Sequence, residues 1–115
     1  MAASLMIINL ETGMPTVEQA ERRLIGELAR ARASGAKAVK IIHGYGSSGV
    51  GGKLRVGVRQ SLAGKKRQRG IKGFIPGEEW DIFQEESRRF IEVCPELSRD
   101  QDLGRGNAGI TLVLL

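Results

Sequence analysis

Ala38-Val39-Lys40-Ile41-Ile42, an apolar run of strand length ending at His43, passes straight into Gly44-Tyr45-Gly46-Ser47-Ser48-Gly49, and a helical period resumes near Gly52. A strand that turns through glycines into a helix commits the chain to a strand–helix–strand unit. The helix has to return across the sheet before a parallel strand can pair. The flanking segments obey the same rule. Leu5-Met6-Ile7-Ile8-Asn9-Leu10 is a nearly continuous apolar run, the pattern of a strand covered on both faces. Thr12-Gly13-Met14-Pro15 is a turn, and Thr16 with Gln19 three residues on has the form of a capping box. Val17, Ala20, Leu24, Leu28 and Ala31 then make one apolar stripe, which Gly35 ends. After the glycine-rich turn, Leu54, Val58 and Leu62 form the buried stripe of a second helix, with Arg55 and Arg59 on a different face.

Ile71 to Ile75 is a strand interrupted by Gly73 and stopped by Pro76-Gly77, and Ile110 to Leu115 is the last strand. Between them, Glu78 to Leu97 has Trp80, Phe83, Phe90, Ile91 and Cys94 at helical spacing, which predicts a helix with those aromatics in the core. Ser98 to Ala108 is polar and predicts a mobile loop. The expected fold is α/β: a two-layer sandwich on a four-stranded mixed sheet, in β-α-β-α-β-(α)-β order, as a single domain with a helical insert over 78–105. Two helices on one sheet face leave the other bare. The insert would cover it, or else a partner subunit would, giving an oligomer through the sheet face or the insert.

A chain of 115 residues, 41% hydrophobic, buries a core without disulfides. Cys94 stands alone, so no disulfide framework is available and a reducing, cytoplasmic setting is expected. The N-terminal residues have neither a basic region nor a long apolar core, so no secretory signal or membrane contact is expected.

Charge gives the sharper clue. No acidic residue occurs between Glu27 and Glu78, and those fifty residues carry twelve Lys or Arg. A one-signed segment built around a glycine-rich turn points to a polyanion, and nucleic acid is the expected partner. Glycines let backbone N–H groups approach a phosphate, and the helix beyond adds the positive end of its dipole. Lys53, Arg55 and Arg59 would contact phosphates, with Gly44, Tyr45 and Gly46 in the turn and Lys65, Lys66, Arg67 and Arg69 as a flanking basic track. Tyr45 would stack on an unpaired base, a contact of about 1–3 kcal/mol. His43, the only histidine, ends a strand where α/β sheets place their ligands. The insert's acids (Glu78, Glu79, Asp81, Glu85 and Glu86) would alternatively fold against the basic surface and compete with nucleic acid.

Two nucleotide motifs fail. Gly44-x-Gly46-x-x-Gly49 matches a dinucleotide fingerprint literally, but Val50-Gly51-Gly52 delays the helix and no acid lies near Arg67 to Ile71. Gly52-Lys53 lacks the upstream glycine of a P-loop, since position 47 is Ser47, and Leu54 stands where a hydroxyl is required.

Ile41-Ile42-His43-Gly44-Tyr45-Gly46, followed by Lys53-Leu54-Arg55 and Val58, resembles the central signature of the Smr (small MutS-related) domain family. Thr16-Val17-Glu18-Gln19-Ala20 is similar to that family's Thr-Val-Glu-Glu-Ala helix start, and Gly109 to Leu114 to its closing Gly-Val-Thr-Ile-Val strand. The resemblance covers residues 5–75 and 106–115. It implies a two-layer α/β sandwich, nucleic-acid binding with a place in DNA repair or recombination, and in some members nicking endonuclease or ribonuclease activity. The family's Leu-Asp-x-His motif after the first strand is degraded here. Aligned on the strand, Asn9 and Glu11 replace its Asp and His; aligned without gaps from Thr16, Glu11 and Gly13 do. Binding therefore carries over further than cleavage. A nuclease reading would use His43 and Glu11 as catalytic residues with a divalent metal ion such as Mg. A third reading is a protein-interaction domain with a basic face.

Overall fold

The computed structural model describes residues 4–44 and 50–115. Side-chain alternation organises it. In the strand Ala38–Ile42 (β2), Val39 and Ile41 point to one sheet face, while Ala38, Lys40 and Ile42 point to the other. β2 is flanked by Leu5–Asn9 (β1), parallel to it with Leu5 opposite Ala38, and by Ile110–Leu114 (β4), antiparallel with Ile42 opposite Ile110. Gly73–Pro76 (β3) closes the sheet antiparallel to β4, so the strand order is β1-β2-β4-β3. The result is the expected mixed α/β fold with a four-stranded sheet.

Helices Val17–Ala33 (α1) and Val50–Arg67 (α2) pack on the Val39/Ile41 face. There Leu24, Leu28, Ala31, Val58 and Leu62 meet Ile8, Leu10, Ile41 and Val113. Thr16 caps α1 as expected: its Oγ1 accepts from Gln19 N at 3.1 Å, and Gln19 Oε1 accepts from Thr16 N at 3.0 Å. Such a cap contributes about 1 kcal/mol. The helices approach closely at Gly57, where a Cβ would stand 2.7 Å from Val17 Cγ1.

The insert covers the second face. Trp80, Phe90, Cys94 and Leu97 pack on Ala38, Ile75, Ile110, Leu112 and Leu114. Its form differs from the continuous helix expected over 78–97. Only Glu85–Val93 (α3) is α-helical, between 3-10 turns at Gly77–Glu79 and Pro95–Arg99. The break has a local cause: Asp81 Oδ1 accepts from Phe83 N at 2.8 Å, a side-chain turn that competes with the helix and swings the chain outward. Phe83, expected in the core, is 84% exposed as a result. The first strand also departs from expectation. β1 is a sheet edge lying partly beyond the insert, so Ile7 is 62% exposed rather than covered on both sides.

The segment expected to be a mobile loop is tied down by charge. Lys40, in the middle of β2 and 4% exposed, donates from Nζ to Asp100 Oδ1 at 2.6 Å and to Asp102 Oδ2 at 2.5 Å. Asp100 Oδ2 also accepts from Trp80 Nε1 at 3.0 Å, and Asp102 Oδ1 from Asn107 Nδ2 at 3.0 Å. Burial disfavours the Lys40 charge, but the hydrogen bonds and charges of the two aspartates outweigh it and raise its pKa above the ordinary 10.5. Removing one side of such a cluster strands buried charge. Lys40→Met is expected to destabilise the protein by about 3–5 kcal/mol in urea unfolding followed by the fluorescence of Trp80, the only tryptophan. A loss under about 1 kcal/mol would mean the aspartates are held by the backbone turns alone.

Candidate nucleic-acid interface

One end of the sheet gathers the chemistry. Parallel pairing brings the C-terminal ends of β1 and β2 together with the N-terminus of α2, and antiparallel β4 starts at the same end. Leu10 N donates to Ile42 O at 2.8 Å, and the backbone N–H groups of His43 and Gly44 both donate to Gly109 O at 3.0 Å. Asn107 Oδ1 in turn accepts from Gly109 N at 2.8 Å, so the start of β4 is fixed on both sides. Gly44 has φ +78°, a left-handed conformation that glycine adopts without strain. Glu11 lies against it, with Oε2 2.6 Å from where a Cβ on residue 44 would stand. The turn therefore favours glycine for its conformation, and a larger residue would also push the Glu11 carboxylate aside.

His43 is fully buried beneath this turn. Its Nδ1 is 2.7 Å from Gly44 O, and its Nε2 is 2.8 Å from Thr111 Oγ1. A carbonyl only accepts, so Nδ1 carries the proton and Nε2 accepts from the Thr111 hydroxyl. Thr111 Oγ1 then accepts from Arg59 Nε at 3.2 Å. Arg59 continues the line, donating from Nη1 and Nη2 to Glu78 at 2.9 and 2.7 Å and from Nη2 to the carbonyls of Ala108 and Ile110 at 3.3 and 3.2 Å. The polarity runs one way, from Arg59 through Thr111 and His43 to Gly44 O. Burial chiefly, with the positive charges of Arg59 and Arg55 adding to it, holds the His43 pKa below its ordinary 6.5. The Glu78 carboxyl loses some solvation, yet its hydrogen bonds and charge pairing with Arg59 keep its pKa below the usual value.

The expected site residues are thus divided in space. His43, Gly44, Glu11, Lys53, Arg55 and Arg59 share the end just described. Lys65, Lys66, Arg67 and Arg69 lie at the far end of α2, roughly 20 Å away at 1.5 Å per residue. Tyr45 and Gly46 fall outside the described residues. Arg59 is placed differently from a free phosphate contact, because Glu78, Thr111 and two carbonyls take up its donors. Lys53 is exposed and Arg55 half-buried, and among the described residues neither side chain makes a hydrogen bond or ion pair. Of the insert's acids, Glu78 does reach the basic helix. Thr111 was not anticipated as a functional position. Its signal was present: it is the one hydroxyl in an otherwise aliphatic strand, Ile110 to Leu115. Among the described residues no three His, Cys, Asp or Glu side chains converge to hold a cation, and Glu11 alone does not suffice.

The comparisons fit this geometry. The Smr domain family profile matches residues 12–81, and the chain belongs to that family. The matched span begins just past β1, where the first-strand motif is degraded. In structure the chain is similar to the Smr domain of Thermus thermophilus MutS2, at 25% identity and a TM-score of 0.57, with 95% of each chain covered. No curated protein matches the sequence. Smr domains are known in general as nucleic-acid-binding and nicking domains. Among the described residues no helix is long and apolar enough to cross a membrane.

The His43 line has a pH signature. The unfolded chain takes up a proton near pH 6.5 and the folded chain only at lower pH, so stability rises with pH through this window. The contribution is complete above pH 6.5 and is lost as pH falls towards the folded pKa. The carboxylates Glu78 and Asp102, with lowered pKa values, act in a separate window below 4.5 and 3.8. Urea midpoints between about pH 5 and 7 should fall with acid in the wild type and be flatter in His43→Ala, which should also lose about 3 kcal/mol through the cavity and the orphaned Thr111 hydroxyl. Equal pH slopes in the two proteins would show that His43 is not the group responsible.

Proposed function

We propose that this chain binds nucleic acid through the backbone phosphates, at the end of the sheet formed by Gly44, the N-terminus of α2, Lys53 and Arg55. The observation that carries this reading is the pairing of a left-handed glycine turn with a helix N-terminus whose first two cations have no internal partner among the described residues. N–H groups at a helix start favour a phosphate, and the α2 sequence from Val50 to Arg67 contains no acid to repel one. Membership of the Smr family supports the same class of ligand. DNA repair or recombination is the setting the family name suggests, and a cytoplasmic location accords with it.

His43 acts in this reading as a positioning residue. Both ring nitrogens are engaged and the ring is buried, so it holds Gly44 O and the start of β4 in place while the turn meets the ligand. A cleavage reading draws on one observation, the Glu11 carboxylate against Gly44, where it would face a bound phosphate or act as a base. Binding is the stronger reading because Glu11 has no second catalytic group free beside it among the described residues. A basic face for an acidic protein is the remaining alternative, and salt dependence distinguishes it from nucleic-acid binding.

Affinity for duplex, single-stranded and RNA probes, measured across salt concentration, provides the test. Lys53→Ala with Arg55→Ala should weaken binding at least tenfold and reduce the salt slope by nearly two, at about 0.9 per phosphate contact. Unchanged affinity and slope would place the interface elsewhere. Cleavage that is lost in Glu11→Gln, with binding intact, would establish the nuclease reading.

A further inference from the structure

The outer face of α2 carries more than its first turn. The helix has 3.6 residues per turn, so Lys53, Val56, Gln60, Ala63 and Arg67 fall on one crest at steps of three and four. Lys53, Val56, Gln60 and Arg67 are exposed, Val56 by 51%. Arg55 and Lys66 share the flank beside that crest. The helix thus presents a pair of cations at each end, Lys53 with Arg55 and Lys66 with Arg67, and only neutral residues along the crest between them. The span from residue 53 to residue 67 is about 21 Å. Two carboxylates border the crest. Glu21 of α1 lies beside Gly57, and Glu78 on the other side is matched by Arg59.

We infer that the α2 crest is a rail lying along a DNA duplex, holding phosphates at its two ends and none in the middle. The inference rests on the loop-end binding reading and adds a second, separate anchor at Lys66 and Arg67. The neutral stretch suits a phosphate backbone better than a protein, because a protein interface needs a buried aromatic or apolar centre and the crest offers only Val56. It suits a duplex better than a single strand or RNA. Those ligands use aromatic stacking and 2′-hydroxyl contacts, and the crest has no aromatic and a single hydrogen-bonding neutral side chain, Gln60. At 3.4 Å per base pair, 21 Å corresponds to about six base pairs, which sets a length below which only one anchor can engage.

DNA hairpins with stems of about 4, 8 and 12 base pairs test this on the intact chain. Affinity is expected to rise at least tenfold between the shortest and the middle stem, beyond the statistical gain in sites, and then level off. Lys66→Ala with Arg67→Ala should abolish the step and reduce the long-stem salt slope by about 1.8, with short-stem affinity unmoved. Gln60→Glu should weaken the longer stems several-fold and leave the shortest unaffected. A flat length dependence, or far-end variants that bind long stems as the wild type does, would overturn the rail. So would tighter binding of RNA hairpins or single strands than of DNA stems of equal length. Failure of the underlying reading shows differently, as short-stem affinity unchanged by Lys53→Ala with Arg55→Ala, and that result would remove the rail's first anchor too.

Discussion

The Thr111 hydroxyl is the joint on which the functional end of this domain depends. It donates to His43 Nε2 and accepts from Arg59 Nε, so one buried oxygen links β4 to β2 on one side and to α2 on the other. The direction of both bonds is forced. A buried imidazole that gives its proton to a carbonyl must accept at its other nitrogen, and a guanidinium can only donate. Arg59 extends the joint to Glu78 and to two carbonyls around the start of β4, so three separate pieces of chain, its own helix included, meet at one cation. Fixed in this way, the His43-Gly44 turn holds its left-handed conformation with no free polar group behind it. A lysine at position 59 could not serve the same partners, because its single ammonium lacks the planar fork.

The opposite face solves a different problem. A sheet with two helices on one side leaves an apolar surface uncovered, and the insert fills it with Trp80, Phe90, Cys94 and Leu97. Lys40 marks the place where that cover is held by charge as well as by packing. A buried ion cluster adds little net stability over a replacement in which all three charged residues become apolar, but it makes one docking position of the segment around Asp100 and Asp102 preferable to its alternatives. Acids that are distant in sequence thereby meet the basic stretch at two points, Lys40 and Arg59. Both cations lose their availability to an external anion, which leaves Lys53 and Arg55 as the available cations at the Gly44 end.

Much of the fold was legible in the sequence because its signals are local. The capping box at Thr16, the stripe from Val17 to Ala31 and the strand ending before His43 each depend on neighbours a few residues away, and each stands as expected. The insert was less legible, because its helical spacing was real but a single side-chain turn at Asp81 broke the helix and sent Phe83 outward. The site was legible only as a neighbourhood. His43 and the cations after it could be named, but their states depend on Thr111 and Glu78, and no local pattern links residue 43 to residue 111. Likewise, an acid-free run of sequence gave no sign that an eighteen-residue helix would carry Lys53 and Arg55 to one end of the domain and Lys65, Lys66 and Arg67 to the other.

The central claim is that a buried, neutral His43 supports a turn that meets nucleic acid alongside the start of α2. Titration of isotopically labelled protein with duplex DNA, following amide shifts together with the imidazole nitrogens, tests it most directly. Shifts should concentrate at Gly44 and Gly52 to Arg55, while the His43 ring keeps its proton on Nδ1 and stays neutral throughout. Shifts concentrated on α3 and the turns around it, or a His43 ring that becomes protonated as DNA is added, would contradict the account.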